Sequence, residues 1–173
     1  MITDKEIQIA RHCIGYATAH GASAVRVSLN KSVTDACTIL SGELDKVSHS
    51  ADRSIYLYLF VNGRYGTFST NRLEEADLET FISKAIDMVR MLGEDLCRKL
   101  PDIGRTAKDA ITGRELGLFD ADYAKISSDD RLANAFRLSR FQETKENAEG
   151  YSLISEECEY SCTADDSYLA DSN

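Results

Sequence analysis

The fold is decided by residues 55–70, which read IYLYLFVNGRYGTFST. Apolar residues run up to Val61, and Asn62-Gly63 follows at once. An Asn-Gly pair between two such runs is the strongest short signal for a β-hairpin, because a type I′ turn needs positive φ at both central residues. The two-residue loop then fixes the register, and the predicted pairs are Val61 with Arg64, Phe60 with Tyr65, Leu59 with Gly66 and Leu57 with Phe68.

The predicted hairpin has two chemically different faces, because successive residues of a strand point to opposite sides. The aliphatic face carries Leu57, Leu59, Val61 and Phe68. The opposite face, called here the aromatic face, carries Tyr56, Tyr58, Phe60 and Tyr65. Tyrosine is favoured at interfaces because its ring packs while its hydroxyl stays hydrated. The aromatic face is therefore either an interface or an ordinary exposed sheet surface.

Helical patterns precede and follow the strands. Thr3 and Glu6 read as a capping box, which begins a helix predicted over residues 4–20. After the hairpin, an apolar stripe at helical spacing runs from Leu78 to Leu92 and predicts a second helix.

Alternating patterns upstream of the hairpin predict three more strands, at residues 25–30, 33–40 and 44–49. No helical segment separates the five strands, whereas parallel strands would need one between each pair. The order of elements therefore predicts an α+β fold, in which an antiparallel sheet of about five strands is covered by helices on one face.

The second half of the chain has weaker patterns, and a first domain is accordingly predicted over residues 1–93. Residues 94–126 predict an extended linker, because they hold Pro101 and several glycines among few apolar residues. Residues 127–150 predict a third helix, from Ser127 or Ser128 to Gly150, with inward positions at Leu132, Ala135, Phe136 and Ser139. Residues 151–173 predict strands that lack neighbours, an acidic turn at Asp165-Asp166, and the beginning of a truncated C-terminal domain.

The chain carries a formal net charge of −9, which repels phosphate backbones and argues against direct nucleic-acid binding. Its five cysteines are odd in number and scattered, as expected of reduced thiols in the cytoplasm. No apolar leader follows Met1, and the apolar run at residues 55–61 is too short to cross a membrane. We therefore expect a cytoplasmic protein without a membrane partner.

The sequence shows no recognisable catalytic centre. None of the histidines, His12, His20 and His49, is followed by glutamate, so the H-E-x-x-H zinc motif is absent. His12 and His20 lie about 12 Å apart along the predicted helix and cannot share a metal ion. Cys158 and Cys162 lack the second ligand pair of a zinc knuckle. We therefore predict no catalytic residue, no metal ligand and no tight zinc binding.

Residues 98–114 form a basic segment in this acidic chain, with five cations against two carboxylates. The segment is either a solvated linker or a surface that docks on an acidic partner. With the aromatic face, it gives the candidate interface residues Tyr56, Tyr58, Phe60, Tyr65, Arg98, Lys99 and Arg105.

Three groups of residues occur in the order that is found in a known family. The first comprises residues 40–47, LSGELDKV, then Asp52-Arg53 and residues 59–71, LFVNGRYGTFSTN. The second comprises residues 118–120, LFD, and Ile126-Ser127 with the predicted helix that follows, and the third comprises residues 168–173, YLADSN. Together they resemble the N-terminal region of the TldD/PmbA family, zinc metallopeptidases also labelled modulators of DNA gyrase.

The resemblance implies a non-catalytic domain, because the family's zinc motif lies in the C-terminal half of the TldD branch only. The spacing from the second helix to Tyr168 resembles the PmbA (TldE) branch, which lacks that motif. The two branches pair to build a sheltered cleft for unfolded peptides. The implied partners are therefore a TldD-like catalytic subunit, which would bind the zinc, or a second copy of this chain, with a peptide as substrate of the assembly.

Two alternatives stay open. In the first, the chain is a free-standing interaction module from a truncated gene product, with no protease role. In the second, it is an enzyme whose active site the sequence does not reveal.

Overall fold

The structure is a computed structural model that describes residues 2–106, 116–140 and 157–173. In chain order its elements are helix α1 (Asp4–Ala19), strands β1 (Ala24–Leu40), β2 (Glu43–Val61) and β3 (Arg64–Thr70), helices α2 (Glu75–Arg90) and α3 (Ser128–Arg140), and strand β4 (Glu157–Asp171). Short 3-10 turns lie at Ile103–Arg105 and Ala121–Lys125. Within the described residues the strands form a four-stranded antiparallel sheet in the order β3-β2-β1-β4, which confirms the α+β prediction.

The hairpin of β2 and β3 has the predicted register. Phe60 pairs with Tyr65, Leu57 pairs with Phe68, and the other predicted pairs are also present. The φ angles of Asn62 and Gly63 are 48° and 72°, as a type I′ turn requires. The hairpin has the two predicted faces, because Leu57, Leu59 and Val61 are fully buried whereas the tyrosines of the opposite face are not.

Two predicted breaks do not exist, so the five predicted strands are three, and β4 makes the sheet four-stranded. β1 continues through residues 31 and 32, and β2 continues through residues 50–54. Neither stretch contains glycine or proline, so polar composition alone suggested a break where the backbone stays extended. Ser41 and Gly42, with φ angles of 49° and 82°, form the turn between these two long strands.

The helices α1 and α2 cover the aliphatic face of the hairpin. Their apolar stripes contribute to one buried cluster with β1, β2 and β3. The fully buried side chains of this cluster include Ala10, Cys13, Leu29, Leu57, Leu59, Leu78, Ile82 and Val89. Close approach of α2 to β3 depends on Gly66, because a Cβ atom there would lie 2.7 Å from Val89 Cγ2. The predicted stripe ends earlier than expected, since Leu92 is 47% exposed.

The capping box at the start of α1 is present, and its Glu6 carboxylate is buried beside two partly exposed cations. The Thr3 N–H and Oγ1 donate to Glu6 Oε2 at 2.8 and 2.9 Å, and the Glu6 N–H donates to Thr3 Oγ1. Lys31 Nζ and Arg53 Nη1 lie 3.4 and 3.3 Å from Glu6 Oε1. Burial alone would raise the pKa of Glu6, but the Thr3 and Arg53 hydrogen bonds and the Lys31 charge lower that pKa to about 2.

The C-terminal residues do not match the sequence prediction of neighbourless strands and an acidic turn. β4 lies beside β1 in the sheet, and Asp165-Asp166 is part of its extended backbone. The Ser172 N–H donates to the Val25 carbonyl at 2.9 Å, and the Ile2 N–H donates to Asp166 Oδ2 at 2.5 Å. The prediction failed because the partner strand is distant in sequence, so no local pattern reveals the pairing.

The third helix begins as predicted. Ser127 and Asp130 bond reciprocally at its start, with the Asp130 N–H donating to Ser127 Oγ at 3.1 Å. Ala135 is buried in a second cluster with Cys37, Ile39 and Cys158, and Leu132 and Phe136 pack against it. The predicted helix end at Gly150 and the predicted strand at residues 151–154 lie outside the described residues.

Tertiary contacts divide the chain into two units. The first comprises residues 1–31, 52–111 and 165–173, and the second comprises residues 32–51 and 112–164. β1, β2 and β4 contribute residues to both units. The sequence-predicted boundaries at residues 93, 126 and 150 differ from this division. They stay predictions about the arrangement of domains. In the part of the chain that the structure describes, every helix is too short or too polar to traverse a bilayer.

Candidate functional site

The segment after α2 folds back onto the hairpin turn. The Asp95 N–H donates to the Gly63 carbonyl at 2.8 Å, and Arg64 Nε donates to the Leu92 carbonyl at 2.9 Å. Arg64 also pairs with Glu94 at 3.2 Å. These bonds place the first residues of the predicted linker beside the aromatic face, so this part of residues 94–126 packs on the first unit.

A surface groove of about 410 Å³ lies where the basic segment meets the aromatic face. The sheet contributes Arg26, Tyr58, Phe60 and Tyr65, and the segment contributes residues 97–101. The two surfaces that the sequence singled out separately therefore form one site. We refer to it as the aromatic groove.

A stacked contact joins the two walls of the aromatic groove. The guanidinium carbon of Arg98 lies 4.7 Å from the centroid of the Tyr65 ring, and Arg98 Nε lies 3.1 Å from Asp95 Oδ2. The Tyr65 ring packs against Phe60 with centroids 5.0 Å apart, and its hydroxyl accepts a hydrogen bond from Thr67 Oγ1 at 2.7 Å. A cation over an exposed aromatic ring contributes about 0.5–1 kcal/mol, so Arg98 is held in place without being buried.

Arg26 adds a second guanidinium that sequence reasoning missed. Its Nη2 lies 3.2 Å from Asp171 Oδ2, whereas its Nε is buried without a hydrogen-bond partner in the described part of the chain. The alternation of β1 marks Arg26 as pointing away from the aliphatic core, but it does not show that β2 and the 97–101 segment converge there. Leu100, Pro101 and Cys97 were missed for the same reason.

The other predicted interface residues are not in the aromatic groove. Tyr56 is 37% exposed on β2, outside the lining set, and Arg105 ends the short turn after Asp102. The last two cations of the basic segment, Lys108 and Arg114, lie outside the described residues. The groove thus presents Arg26, Arg98 and Lys99 around aromatic walls, and Arg26 and Arg98 are each already paired with an aspartate.

A charge network occupies the second unit. His49 Nδ1 lies 2.7 Å from Asp35 Oδ1, while Arg131 Nη1 and the Tyr123 hydroxyl lie 3.3 and 3.4 Å from Asp35 Oδ2. The His49 hydrogen bond and the Arg131 charge outweigh burial and lower the pKa of Asp35. Three donors therefore converge on the Asp35 carboxylate, and the Arg131 guanidinium also lies over the Tyr123 ring at 5.3 Å. This arrangement is that of a structural ion cluster.

Three metal-ligating groups converge on the surface of the first unit. His12 on α1 lies beside Glu75 and Glu79 on α2, and the ligand atoms all lie within 4.8 Å of one another. The sequence prediction considered His12 only with His20 and with a following glutamate. The carboxylates that approach His12 come from a helix more than sixty residues away, so no spacing within α1 reveals them.

Residues 25–89 match a protein family described as PmbA/TldA metallopeptidase domain 1. A crystal structure of a candidate modulator of DNA gyrase from Bacteroides thetaiotaomicron superposes on 99% of this chain with a TM-score of 0.87 and 31% sequence identity. Two more distant structures share the fold at 13% identity: a candidate DNA gyrase modulator from Thermotoga maritima (TM-score 0.72, 96% of this chain) and TldE from Thermococcus kodakarensis (TM-score 0.65, 95%).

The chain spans 38%, 35% and 35% of the length of these three solved proteins, respectively. No curated protein matches it significantly. The matches therefore cover only part of much longer proteins.

Proposed function

Because this chain carries the N-terminal domain of the TldD/PmbA family, we propose that it serves a PmbA/TldE-like protein as a non-catalytic docking domain. Its role is to help build a peptidase assembly in the cytoplasm that acts on unfolded peptides. The catalytic zinc belongs to a TldD-type partner subunit. The five cysteines are free thiols, which fits a reducing compartment.

The aromatic groove is the observation that supports this proposal. Interfaces concentrate their binding free energy in tyrosine and arginine, and the groove brings Tyr58, Tyr65, Arg26 and Arg98 into one place. The chain as a whole is acidic, whereas the groove places Lys99 beside the ion-paired Arg26 and Arg98, and this local positive charge favours an acidic partner surface. The walls are also held by main-chain bonds such as Asp95 to Gly63, which lowers the conformational cost of binding.

A matched pair of tyrosine variants tests the proposal. Tyr58→Ser removes a groove wall, whereas Tyr56→Ser removes a neighbouring tyrosine that lies outside the groove. The chain and each variant would be mixed with a TldD-type subunit encoded in the same genome, and the complexes measured by sedimentation velocity. Both variants should have unchanged circular dichroism, since the buried residues Leu57 and Leu59 lie on the opposite face.

We expect the wild type and Tyr56→Ser to associate with the TldD-type subunit, and Tyr58→Ser to bind at least tenfold more weakly. Binding that both variants retain equally would show that the groove is not the docking surface. If the wild type does not associate with the TldD-type subunit, the docking role fails. Self-association that Tyr58→Ser weakens would then identify a second copy of the chain as the partner, and its absence would favour the free-standing module.

A further inference from the structure

His12, Glu75 and Glu79 have the spacing of ligands around a single metal ion. His12 Nε2 lies 3.2 Å from Glu79 Oε1 and 3.6 Å from Glu75 Oε1. Ligands bound tetrahedrally at zinc distances of about 2.0–2.1 Å are separated from one another by about 3.3 Å. The cluster therefore needs little rearrangement to surround an ion.

The scaffold that presents these side chains is rigid. α1 is fixed by the buried residues Ala10 and Cys13, and α2 by Leu78 and Ile82, all within the main core. One turn further along, the Tyr16 hydroxyl lies 3.1 Å from Ser83 Oγ and ties the same two helices together. Ligands on packed helices keep their geometry better than ligands on loops, so the positions are preorganised.

The charge of the cluster favours a cation. Glu75 and Glu79 lie four residues apart on one face of α2, a spacing at which like charges destabilise a helix. His12 opposes them as a neutral imidazole or as a cation, but as an imidazolium it brings only one positive charge to two carboxylates. A divalent ion neutralises both carboxylates and uses the imidazole as a neutral ligand.

We propose that His12, Glu75 and Glu79 form a binding site for one divalent transition-metal ion between α1 and α2. One imidazole and two carboxylates are a donor set that suits zinc, with water completing the coordination. His12 and Glu79 are about one third exposed and Glu75 is 74% exposed. The affinity is therefore weaker than that of closed four-ligand zinc sites, and the ion acts as a clamp between two helices. The inference is independent of the aromatic groove.

Zinc titration of the full chain, followed by calorimetry and by thermal melting, tests the site. The variants are His12→Ala and Glu79→Gln, and the matched control is His20→Ala, which removes the histidine at the C-cap of the same helix, outside the cluster. Magnesium serves as the control ion, because it prefers an all-oxygen octahedral shell.

We expect the wild type and His20→Ala to bind one zinc ion and to melt at a higher temperature with zinc than without. His12→Ala and Glu79→Gln should bind zinc at least tenfold more weakly and lose the zinc-induced shift, while remaining folded by circular dichroism. Zinc binding of equal strength in His12→Ala would place the ion elsewhere and overturn the proposal. An absence of saturable binding in the wild type would reduce the cluster to a helix–helix ion pair.

Discussion

Arg98 lies over the ring of Tyr65, with its guanidinium carbon 4.7 Å from the ring centroid, and so joins the basic segment to the sheet. Arg98 is 60% exposed, and its ion pair with Asp95 lies in solvent. Exposed contacts of both kinds contribute little to stability. We therefore expect Arg98→Ala to lower the free energy of unfolding by no more than about 1 kcal/mol, measured by urea denaturation. The same change should weaken partner binding at least tenfold, and a larger loss of stability than of binding would assign Arg98 a purely structural role.

The turn at Asn62-Gly63 gives a second prediction. Gly63 has a φ of 72°, and a β-branched residue there is strained. Gly63→Val should destabilise the fold by about 1–3 kcal/mol. Gly63→Asn is the control, because asparagine tolerates this backbone region while still placing a Cβ 3.1 Å from Leu96 Cδ2. Equal melting temperatures for the valine variant and the wild type would contradict the turn assignment.

Gly66 gives a third prediction, which rests on space rather than on backbone angle. Gly66→Ala would place a methyl group 2.7 Å from Val89 Cγ2, and we expect a loss of about 1–3 kcal/mol from this overpacking. Gly15→Ala is the matched control, since that Cβ meets open space on α1 and alanine favours a helix. In a Val89→Ala background the cost of Gly66→Ala should shrink. Additive losses would show that the contact with Val89 is not the cause.

The lowered pKa of Glu6 predicts that the folded chain loses stability at acidic pH. Its pKa is lowered from 4.5 to about 2 in the folded chain, so the folded state releases this proton more readily than the unfolded state. The resulting stability is fully present above about pH 4.5 and is lost as the pH falls towards 2. Glu6→Gln should cost about 1.5–3 kcal/mol at pH 7, because the buried Glu6 side chain loses its charge-assisted hydrogen bonds, while Lys31 and Arg53 stay partly exposed to water.

The measurement for Glu6 is a series of urea unfolding curves between pH 2 and pH 7. The gap between wild type and Glu6→Gln should narrow steadily below pH 4.5. Asp4→Asn, which removes an exposed carboxylate from the same helical turn, is the control. The difference between its unfolding free energy and that of the wild type should not change with pH. A gap that is constant across this range would mean that the pKa of Glu6 is the same in the folded and the unfolded chain.

Local sequence signals predicted the parts of the fold that local chemistry determines. Asn62-Gly63 and the alternation before it gave the hairpin register, and Thr3 with Glu6 gave the start of α1. The predictions failed where residues distant in the sequence determine the structure. β4 is extended through Asp165 and Asp166 because β1 lies beside it, and β1 itself runs on through polar residues without a break.

The candidate site, too, was predicted only where local sequence determines it. Tyr58, Phe60 and Tyr65 were predicted from alternation within one hairpin, and Arg98 and Lys99 from local charge. Their meeting depends on the bond between Asp95 and Gly63, which no pattern in residues 94–101 indicates. Arg26 and the cluster of His12, Glu75 and Glu79 depend on contacts between elements, and such contacts leave no periodic trace in the sequence.

The pairing of β4 with β1 also imposes an order on folding. Val25 and Ser172 are bonded although 147 residues separate them, whereas the β2–β3 hairpin closes over two residues. Loop-closure entropy makes the short hairpin form early and the distant pairing form late. While the chain is being synthesised, the outer edge of β1 therefore stays open until residues 157–171 have been made. An unpaired strand edge pairs readily with strands of other chains. We therefore expect the pairing of β4 with β1 to protect nascent chains from misassembly.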